Sequence, residues 1–527
     1  MTELSRRTAM KGAAAAVGLT LLPTTAHAAP GRVRVTREEH RVVVIGSGFG
    51  GGVTALRLAQ AGVPVLVLER GIRWPSGPNA ETFPHATSPD KRMFWMGLSG
   101  LLPGVPSLPV SVAEHYTGLL EFVVGNGMIQ MVAAGVGGGS LVYQGMTLQP
   151  TEALFNACFP EQLDYARMDS IYYPRVAQML QVATAPDELI NSPTYAAARA
   201  FARNTEQRGY PLSKIQMPID WNFALAELRG EMKPSYTNGD CSLGVNNGGK
   251  HSVDVTYIAA AEATGNCTVA TQHNVTDVAL APDGRWTVEV DRIDTDGTVL
   301  EKKVLTANAL VMAAGTAGTT RLLMRAGGKN LIPDLPDGLG QGWGSNGDRV
   351  YTWTSLTDDF GSPQGGPVIY CSREWDDPAT ANTVIQASLP PTADLRTTML
   401  VGYGVSTGRG HFTYDATRDD AVLNWPAGAD QAIADRIAKR VGDIGGPLAV
   451  KLDTSALAPN TGHPLGGASM NSVCDLEGRV LGHRGLYVLD GALMPGTTAA
   501  CNPSMTIAAI AERALDTIVA EDVGTVF

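Results

Sequence analysis

The start of the chain carries a strand, a glycine-rich turn, a helix and a second strand in immediate succession. Arg41–Ile45 is a short valine-rich run, and residues 46–51 read Gly-Ser-Gly-Phe-Gly-Gly. Apolar side chains recur with helical spacing over Val53–Ala61, and Val63–Leu68 is a second apolar run that ends at Glu69. This order predicts a Rossmann-type βαβ unit, and therefore an α/β fold around a parallel sheet.

The spacing of the glycines indicates what this unit binds. Gly46 permits the tight turn, Gly48 lets the backbone approach a pyrophosphate, and Gly51 lets the helix pack on the strand. The pyrophosphate lies at the helix N-terminus, where free N–H groups favour negative charge. Glu69 follows the second strand, where a carboxylate accepts hydrogen bonds from ribose hydroxyls. A turn that binds nothing would not need all four features, but the pattern alone does not separate FAD from NAD.

Further pieces of the same sheet are predicted in the middle and at the end of the chain. The predicted elements are a strand over Thr268–Val278, a hairpin of Trp286–Asp291 with Lys303–Leu305, a strand over Ala309–Ala314, a helix over Thr320–Ala326, a strand over Leu486–Leu489 and a helix over Ser504–Ile518. The cofactor-binding domain is therefore discontinuous and comprises 41–73, 251–341 and 478–527. An interleaved substrate domain, 74–250 and 342–477, is expected to be a mostly antiparallel sheet with helices.

The first 28 residues have the pattern of an export signal. Arg6 and Arg7 precede the apolar stretch Gly12–Leu22, and Ala26-His27-Ala28 is a small-x-small cleavage site. The paired arginines indicate the bacterial pathway that exports folded proteins. We therefore predict a twin-arginine signal peptide over 1–28 and a secreted protein. An uncleaved anchor is the less favoured interpretation, because the apolar stretch is about half of what a spanning helix needs.

Three further segments carry candidate chemistry. The cluster 135–140 reads Gly-Val-Gly-Gly-Gly-Ser, which suits either a backbone lying on a flat ligand or a flexible hinge. Gly244–Lys250 imitates a phosphate-binding loop but is followed by His251 in place of Ser or Thr, so we interpret it as an ordinary loop. His463 lies among proline and glycines, in the kind of irregular segment where catalytic groups are common.

Charge and cysteine spacing exclude other classes of function. The formal net charge is -11, and a surface of that sign repels phosphate backbones, so no nucleic-acid partner is expected. The six cysteines are widely spaced, without a Cys-x-x-Cys pair, so no metal site is predicted.

Several motifs in register resemble the glucose–methanol–choline (GMC) oxidoreductases. They are GVGGGSLVYQGM, GNCTVATQHNV, GWGSNG, RGHFTYDATRDDAVLNW and YVLDGALMPGTTAACNPSMTIAAIAERA, spread over about 41–520. Within the family, the chain is most similar to the bacterial cholesterol oxidases with non-covalent FAD. The resemblance implies that FAD is the cofactor. The residues it implies around FAD are Gly46, Gly48, Phe49, Gly50, Gly51, Glu69, Gly139, Tyr143, Gln144, Met146, Val275, Gly491, Asn502 and Ser504.

The resemblance also implies the chemistry of the site. His463 and Asn502 would face the hydroxyl of a secondary alcohol, and oxygen would reoxidise the flavin to give hydrogen peroxide. The expected substrate is a sterol 3β-hydroxyl, which implies transient contact with a membrane surface to extract it. Two alternatives stay open, namely a flavin dehydrogenase with another acceptor and an inactive sterol-binding flavoprotein.

The sequence departs from the sterol-oxidase pattern around the substrate. The family's isomerisation base, a glutamate, aligns with Gln386, whose amide cannot accept and return a proton near neutral pH. Gly462 stands where the family has an aromatic residue, and Tyr143 where it has Asn. We therefore expect impaired movement of the ring double bond if a sterol is oxidised.

Overall fold

The computed structural model describes residues 33–98, 110–391 and 396–527, and the predicted export signal lies outside them. Its strands are β1 (Arg34–Ile45), β2 (Val65–Leu68), β3 (Leu120–Val124), β4 (Ile129–Ala133), β5 (Ser213–Lys214), β6 (Cys267–Ala270), β7 (His273–Leu280), β8 (Trp286–Ile293), β9 (Val299–Met312), β10 (Arg349–Ser355), β11 (Tyr370–Glu374), β12 (Asn382–Ala387), β13 (Thr397–Gly404), β14 (His411–Asp415), β15 (Asp420–Asn424), β16 (Ala449–Asp453), β17 (Asn460–Thr461) and β18 (Leu486–Val488). Its α-helices are α1 (Phe49–Gln60), α2 (Glu152–Cys158), α3 (Tyr165–Arg167), α4 (Tyr173–Leu180), α5 (Asp187–Ile190), α6 (Ala196–Gln207), α7 (Trp221–Leu228), α8 (Ala259–Ala263), α9 (Gly315–Gly328), α10 (Gln431–Gly445), α11 (Thr454–Leu457) and α12 (Ser504–Glu521).

The predicted βαβ unit forms the centre of a seven-stranded sheet. β1 pairs in parallel with β2 on one side and with β9 on the other. β6 extends the parallel part beside β2, and β18 pairs in parallel with the end of β9. Val42, Val43 and Val44 are fully buried, as the central strand of a parallel sheet requires. The α/β fold class is therefore confirmed, with strands contributed by the start, middle and end of the chain.

Two predicted strands of this sheet are corrected by the structure. The single strand predicted over Thr268–Val278 is divided into β6 and β7, because the backbone turns at Gln272, whose φ is 58°. β7 leaves the parallel part and pairs antiparallel with β8. The pieces predicted over Lys303–Leu305 and Ala309–Ala314 merge into one long strand, β9, which ends at Met312 and pairs antiparallel with β8 as the predicted hairpin does.

The second sheet has six antiparallel strands in the order β16-β10-β13-β12-β11-β5. This agrees with the mostly antiparallel sheet expected between the cofactor-binding segments. Arg34–Phe527 form one compact unit, and the boundaries of two domains within it stay a prediction. Where the structure describes the chain, none of its helices is both long and apolar enough to cross a membrane.

The two faces of this second sheet have different neighbours, which matters for the site. Val384 and Leu400 pack with Ile437 of α10 on one face. Ile385 and Tyr403 pack with Met146 on the opposite face. Because side chains alternate between the two faces along a strand, only every second residue of β12 and β13 lies on the same face as Met146.

Candidate active site

The two glycine clusters predicted from the sequence lie against each other. The Gly137 N–H donates to Ser47 Oγ at 3.2 Å, and Ser47 Oγ donates to Glu69 Oε2 at 2.6 Å. The other carboxylate oxygen, Glu69 Oε1, accepts from the backbone N–H of Gly71 at 2.9 Å and of Gly135 at 3.2 Å. Glu69 therefore stands at the end of β2, as predicted, and holds both glycine loops in place.

Three glycines of the first loop are required by packing. A Cβ at Gly46 would lie 2.2 Å from the Ala313 carbonyl oxygen, and one at Gly51 would lie 2.1 Å from the Gly46 oxygen. At Gly50 the distance to the Leu489 carbonyl oxygen would be 1.5 Å. No side chain fits at such distances, so these glycines bring α1 against β9 and the segment after β18.

Gly48 and Gly139 face open space, which packing does not explain. A Cβ at Gly48 would meet only Gly138 Cα, at 3.9 Å, and one at Gly139 would meet nothing within 4 Å. Gly48 has an ordinary φ of -71° and precedes α1 without a side-chain cap. The two positions line a cradle at the N-terminus of α1, where unpaired N–H groups favour a phosphate. The cradle suits a flat dinucleotide that approaches the backbone closely.

Aromatic and cationic side chains support the second glycine cluster. The Tyr143 ring packs edge-on to Phe49 with centroids 5.6 Å apart. Lys250 Nζ lies 4.9 Å from the centre of the Tyr143 ring and donates to the carbonyl oxygens of Leu141 and Tyr143, both at 2.8 Å. Burial lowers the pKa of Lys250 to about 8. The loop that imitates a phosphate-binding motif thus uses its lysine on backbone carbonyls.

Asn502 and Ser504 are bound to the segment that follows this cluster. Asn502 Nδ2 donates to the Met146 carbonyl oxygen at 2.6 Å and to Ser504 Oγ at 2.7 Å, and its Oδ1 accepts from the Leu148 N–H at 3.1 Å. Gln144 Nε2 donates to Ser242 Oγ at 2.5 Å. Both amide hydrogens of Asn502 have protein acceptors, so contact with a substrate hydroxyl requires exchange of one bond.

The segment before Asn502 has an unusual backbone. Ala499 and Ala500 have φ values of 58° and 61°, a region that residues other than glycine rarely adopt. Thr383 Oγ1 donates to the Ala500 carbonyl oxygen at 2.7 Å, and Asn346 Nδ2 donates to that of Cys501 at 2.8 Å. These bonds hold two strained residues two and three positions before the candidate catalytic Asn502.

His463 follows β17 and is fixed by a carboxylate. Its Nδ1 lies 2.8 Å from Asp348 Oδ1, and its backbone N–H donates to Thr461 Oγ1 at 2.8 Å. The side chain of His463 is 18% exposed, whereas that of Asp348 is 7% exposed. The ring therefore has one nitrogen bound within the protein and keeps an accessible edge, as a group that contacts a ligand requires.

Tyr403 connects His463 to the rest of the site. The Tyr403 and His463 rings meet edge to face, with centroids 5.5 Å apart. The Tyr403 hydroxyl lies 3.6 Å from Met146 Sδ, and the Met146 carbonyl binds Asn502. The structure therefore joins His463, Met146 and Asn502 through direct contacts on one face of the second sheet.

Gly491 and Asp490 connect this face to the first sheet. A Cβ at Gly491 would lie 2.4 Å from Thr316 Oγ1 and 3.3 Å from the Pro464 carbonyl oxygen, so Gly491 packs beside the His463 loop. The Asp490 carboxylate accepts from Thr319 Oγ1 at 2.5 Å and from the Ala492 N–H at 2.8 Å. Burial raises the pKa of Asp490 to about 6.

Val275 lies on β7, beside the end of β2. Its cross-strand neighbour is Val290, and the pairing is irregular immediately after it. Two residues earlier, the His273 N–H donates to the Glu69 carbonyl oxygen at 3.0 Å. Val275 therefore belongs to the part of the first sheet where the adenosine end of a dinucleotide is expected.

The structure corrects the placement of Gln386. Its Nε2 donates to Thr398 Oγ1 at 2.9 Å. Its cross-strand neighbour is Leu400, so strand alternation puts its side chain on the α10 face with Val384. Tyr403 and Ile385 are on the opposite face. A shift of one residue in an alignment exchanges the two faces of a strand. The role implied for Gln386 at the isomerisation position does not fit this geometry.

Comparison with known proteins identifies the family. Residues 29–341 and 431–511 match two family models, each described as GMC oxidoreductase. The chain belongs to the GMC oxidoreductases. It is 25% identical to a cholesterol oxidase of Mycobacterium tuberculosis, over 91% of each chain, and 24% identical to one of Acinetobacter baumannii, over 92% of this chain and 96% of the relative.

A solved structure supports the same fold. The crystal structure of pyridoxine 4-oxidase from Mesorbium loti superposes with a TM-score of 0.63 and 16% identity, covering 91% of this chain and 99% of that chain. Members of the GMC family are flavoproteins that oxidise alcohols, so the chain is an oxidoreductase of this kind. The cradle at Gly48 and Gly139 fits the dinucleotide part of such a cofactor.

Asp348 and Tyr403 are two residues of the site that were not predicted from the sequence. Asp348 directly follows the motif GWGSNG and precedes β10, so a carboxylate at a strand start was the available signal. Its partner is 115 positions away in sequence, and only the folded chain shows the pairing. Tyr403 gave no signal, because an aromatic residue in a strand is ordinary.

Proposed function

We propose that the chain is an FAD-dependent oxidase of hydrophobic secondary alcohols, with the 3β-hydroxyl of a sterol as substrate and oxygen as electron acceptor. The observation that carries the proposal is the position of His463. Its ring is fixed by Asp348 and contacts Tyr403, on the face that leads through Met146 to the glycine cradle. A group able to accept a hydroxyl proton therefore stands beside the expected flavin segment.

The roles of the residues follow from their contacts. Bound FAD supplies the hydride acceptor, and the glycine cradle with the α1 N-terminus would hold its pyrophosphate. His463 accepts the hydroxyl proton of the alcohol while the hydrogen on the carbinol carbon is removed as hydride. Asn502 orients the alcohol oxygen by exchanging its bond to Ser504 for one to the substrate. Tyr403 limits the movement of the His463 ring.

The surroundings of His463 support a hydrophobic substrate. Met399 and Val401 share the sheet face of Tyr403 and are half-buried. Gly462 is exposed, and a Cβ there would meet Met131 Cε at 3.7 Å. These groups offer an apolar surface on the side of the second sheet where Tyr403 contacts the proton acceptor. The two cholesterol oxidases, similar over nearly the whole chain, support a sterol among hydrophobic alcohols.

The test separates the substrate from the acceptor. Mature protein is mixed with cholesterol without oxygen, and the visible absorbance of the flavin is followed; loss of the yellow colour is expected. Admission of air should then restore the colour with one equivalent of hydrogen peroxide. No bleaching by cholesterol or by a panel of secondary alcohols would refute the proposal. Bleaching without peroxide formation would indicate a dehydrogenase that uses another acceptor.

We further propose that the protein is exported through the twin-arginine pathway, on the basis of Arg6 and Arg7 ahead of the apolar stretch. A flavin bound before export would remain with the folded protein. A secreted enzyme would meet its sterol at a membrane surface.

A further inference from the structure

The carboxylate of Asp348 binds three successive residues of the His463 loop. Asp348 Oδ1 is 2.8 Å from His463 Nδ1. Asp348 Oδ2 accepts from Thr461 Oγ1 at 2.8 Å and from the Gly462 N–H at 3.1 Å. The side chain is 7% exposed, so water competes little for these contacts.

The loop that carries Asp348 is itself fixed on both sides. Ser345 Oγ donates to the buried carboxylate of Asp430. Asn346 Nδ2 donates to the Cys501 carbonyl oxygen at 2.8 Å, and Asn346 Oδ1 accepts from the Thr498 N–H at 3.0 Å. Asp348 is therefore held by a rigid support, and this support also contacts the strained segment before Asn502.

We infer that Asp348 is a positioning residue that sets the tautomer of His463. A carboxylate can only accept, and Asp348 already accepts from a backbone N–H, so the proton of the neutral imidazole lies on Nδ1. The other nitrogen, Nε2, then presents its lone pair to the alcohol. This step rests on the proposed function, in which His463 accepts the hydroxyl proton.

Replacement of the carboxylate by an amide should reverse this arrangement. In Asp348→Asn the amide oxygen should take the place of Oδ2 and accept from the Gly462 N–H. The NH₂ group does not fit that place, because two donors would then face each other. The NH₂ group then faces His463 Nδ1 and donates to it. The imidazole proton moves to Nε2, which becomes a donor and can no longer accept the hydroxyl proton.

The decisive measurement is the ¹⁵N NMR spectrum of protein labelled at histidine, recorded about two pH units above the ordinary histidine pKa of ~6.5. Signals are assigned by comparison with His463→Gln. We expect wild-type His463 to carry its proton on Nδ1, and Asp348→Asn to carry it on Nε2. A proton on Nε2 in the wild type overturns the inference, and so does an unchanged tautomer in Asp348→Asn. The wild-type spectrum alone is decisive if the variant does not fold.

Kinetics with cholesterol provide the second test. Asp348→Asn should lower kcat by roughly 10²-fold or more with little change in KM, because His463 then presents the wrong tautomer to the alcohol. Asp348→Glu restores a carboxylate and should recover part of kcat. The control is Asp358→Asn, which removes a carboxylate that follows β10 and pairs with Arg203 of α6, and which should leave kcat unchanged.

The outcomes separate the two proposals. If wild-type protein does not oxidise cholesterol, the sterol assignment fails, while the NMR comparison still tests Asp348. If cholesterol is oxidised and Asp348→Asn retains wild-type kcat, the positioning role of Asp348 fails and the oxidase assignment stands.

Discussion

Substitution of Gly48 tests whether the cradle holds a cofactor, because nothing in the protein itself requires glycine there. Its φ of -71° is open to any residue, and a Cβ would make one ordinary contact, at 3.9 Å. Gly50 is the contrasting case, since a Cβ there would lie 1.5 Å from a carbonyl oxygen. We expect Gly48→Ala to fold and Gly50→Ala to fail to fold.

The magnitudes follow from these contacts. In the protein without FAD, Gly48→Ala gains about 0.4–1 kcal/mol from the stiffer unfolded chain and loses a similar amount at the helix N-cap. The free energy of unfolding should therefore change by less than ~1 kcal/mol. A methyl group forced into a close contact with the pyrophosphate costs about 1–3 kcal/mol, which weakens FAD binding roughly 5- to 150-fold. Gly48→Leu should be colourless.

The assay is a titration of flavin-free protein with FAD, followed by quenching of flavin fluorescence. Gly442→Ala is the matched control, because a Cβ at this position meets nothing within 4 Å and its helix, α10, packs on the second sheet. It should bind FAD with wild-type affinity. Wild-type affinity in Gly48→Ala, or a yellow Gly48→Leu protein, would contradict the assignment of the first glycine loop.

Four further predictions concern the chemistry, the export and the electrostatics of the chain. His463→Ala should lower turnover of the alcohol by roughly 10²–10⁴-fold at unchanged flavin content, and normal turnover would place the proton acceptor elsewhere. Lysines in place of Arg6 and Arg7 should trap the precursor inside the cell, seen by fractionation, whereas undiminished export would exclude the twin-arginine pathway. Gln386→Glu should leave the ratio of unconjugated to conjugated ketone unchanged, because its side chain faces α10; a rise in the near-ultraviolet absorbance of the enone would show that it reaches the substrate. Burial raises the pKa of Asp490 from 3.8 to about 6, so its stabilising contribution is present below about pH 4 and lost as pH rises through 6. Relative to wild type, flavin-free Asp490→Asn should therefore gain ~2 kcal/mol of unfolding free energy between pH 4 and pH 7, and a constant difference would refute this.

Local patterns were sufficient to predict the βαβ unit and several later elements of the first sheet. The βαβ unit depends on neighbouring residues, so the glycine spacing and the apolar runs predict it with small errors in its boundaries. The late elements β18 and α12 were found for the same reason. The turn at Gln272 was missed because a left-handed glutamine has no sequence signature.

The surroundings of His463 depend on contacts between residues that are far apart in sequence, and no local pattern predicts such contacts. The pairing of Asp348 with His463 joins two loops across the fold. Which face of the sheet Gln386 lies on depends on the exact register of β12. An alignment at low identity does not determine that register to a single residue. The left-handed conformation of Ala499 and Ala500 also arises from tertiary bonds, since alanine has no preference for it.

The order of strands in the first sheet has a consequence for protein synthesis. β9 is complete at Met312, whereas β18, which pairs with its end, begins at Leu486, roughly 170 residues later. At about 5–20 residues per second, some 9 to 35 seconds separate the synthesis of β9 from that of β18. During that interval the edge of β9 that β18 will cover remains open to pairing with other chains. Molecular chaperones that shield this edge during translation should therefore raise the yield of folded protein more than those that act after release.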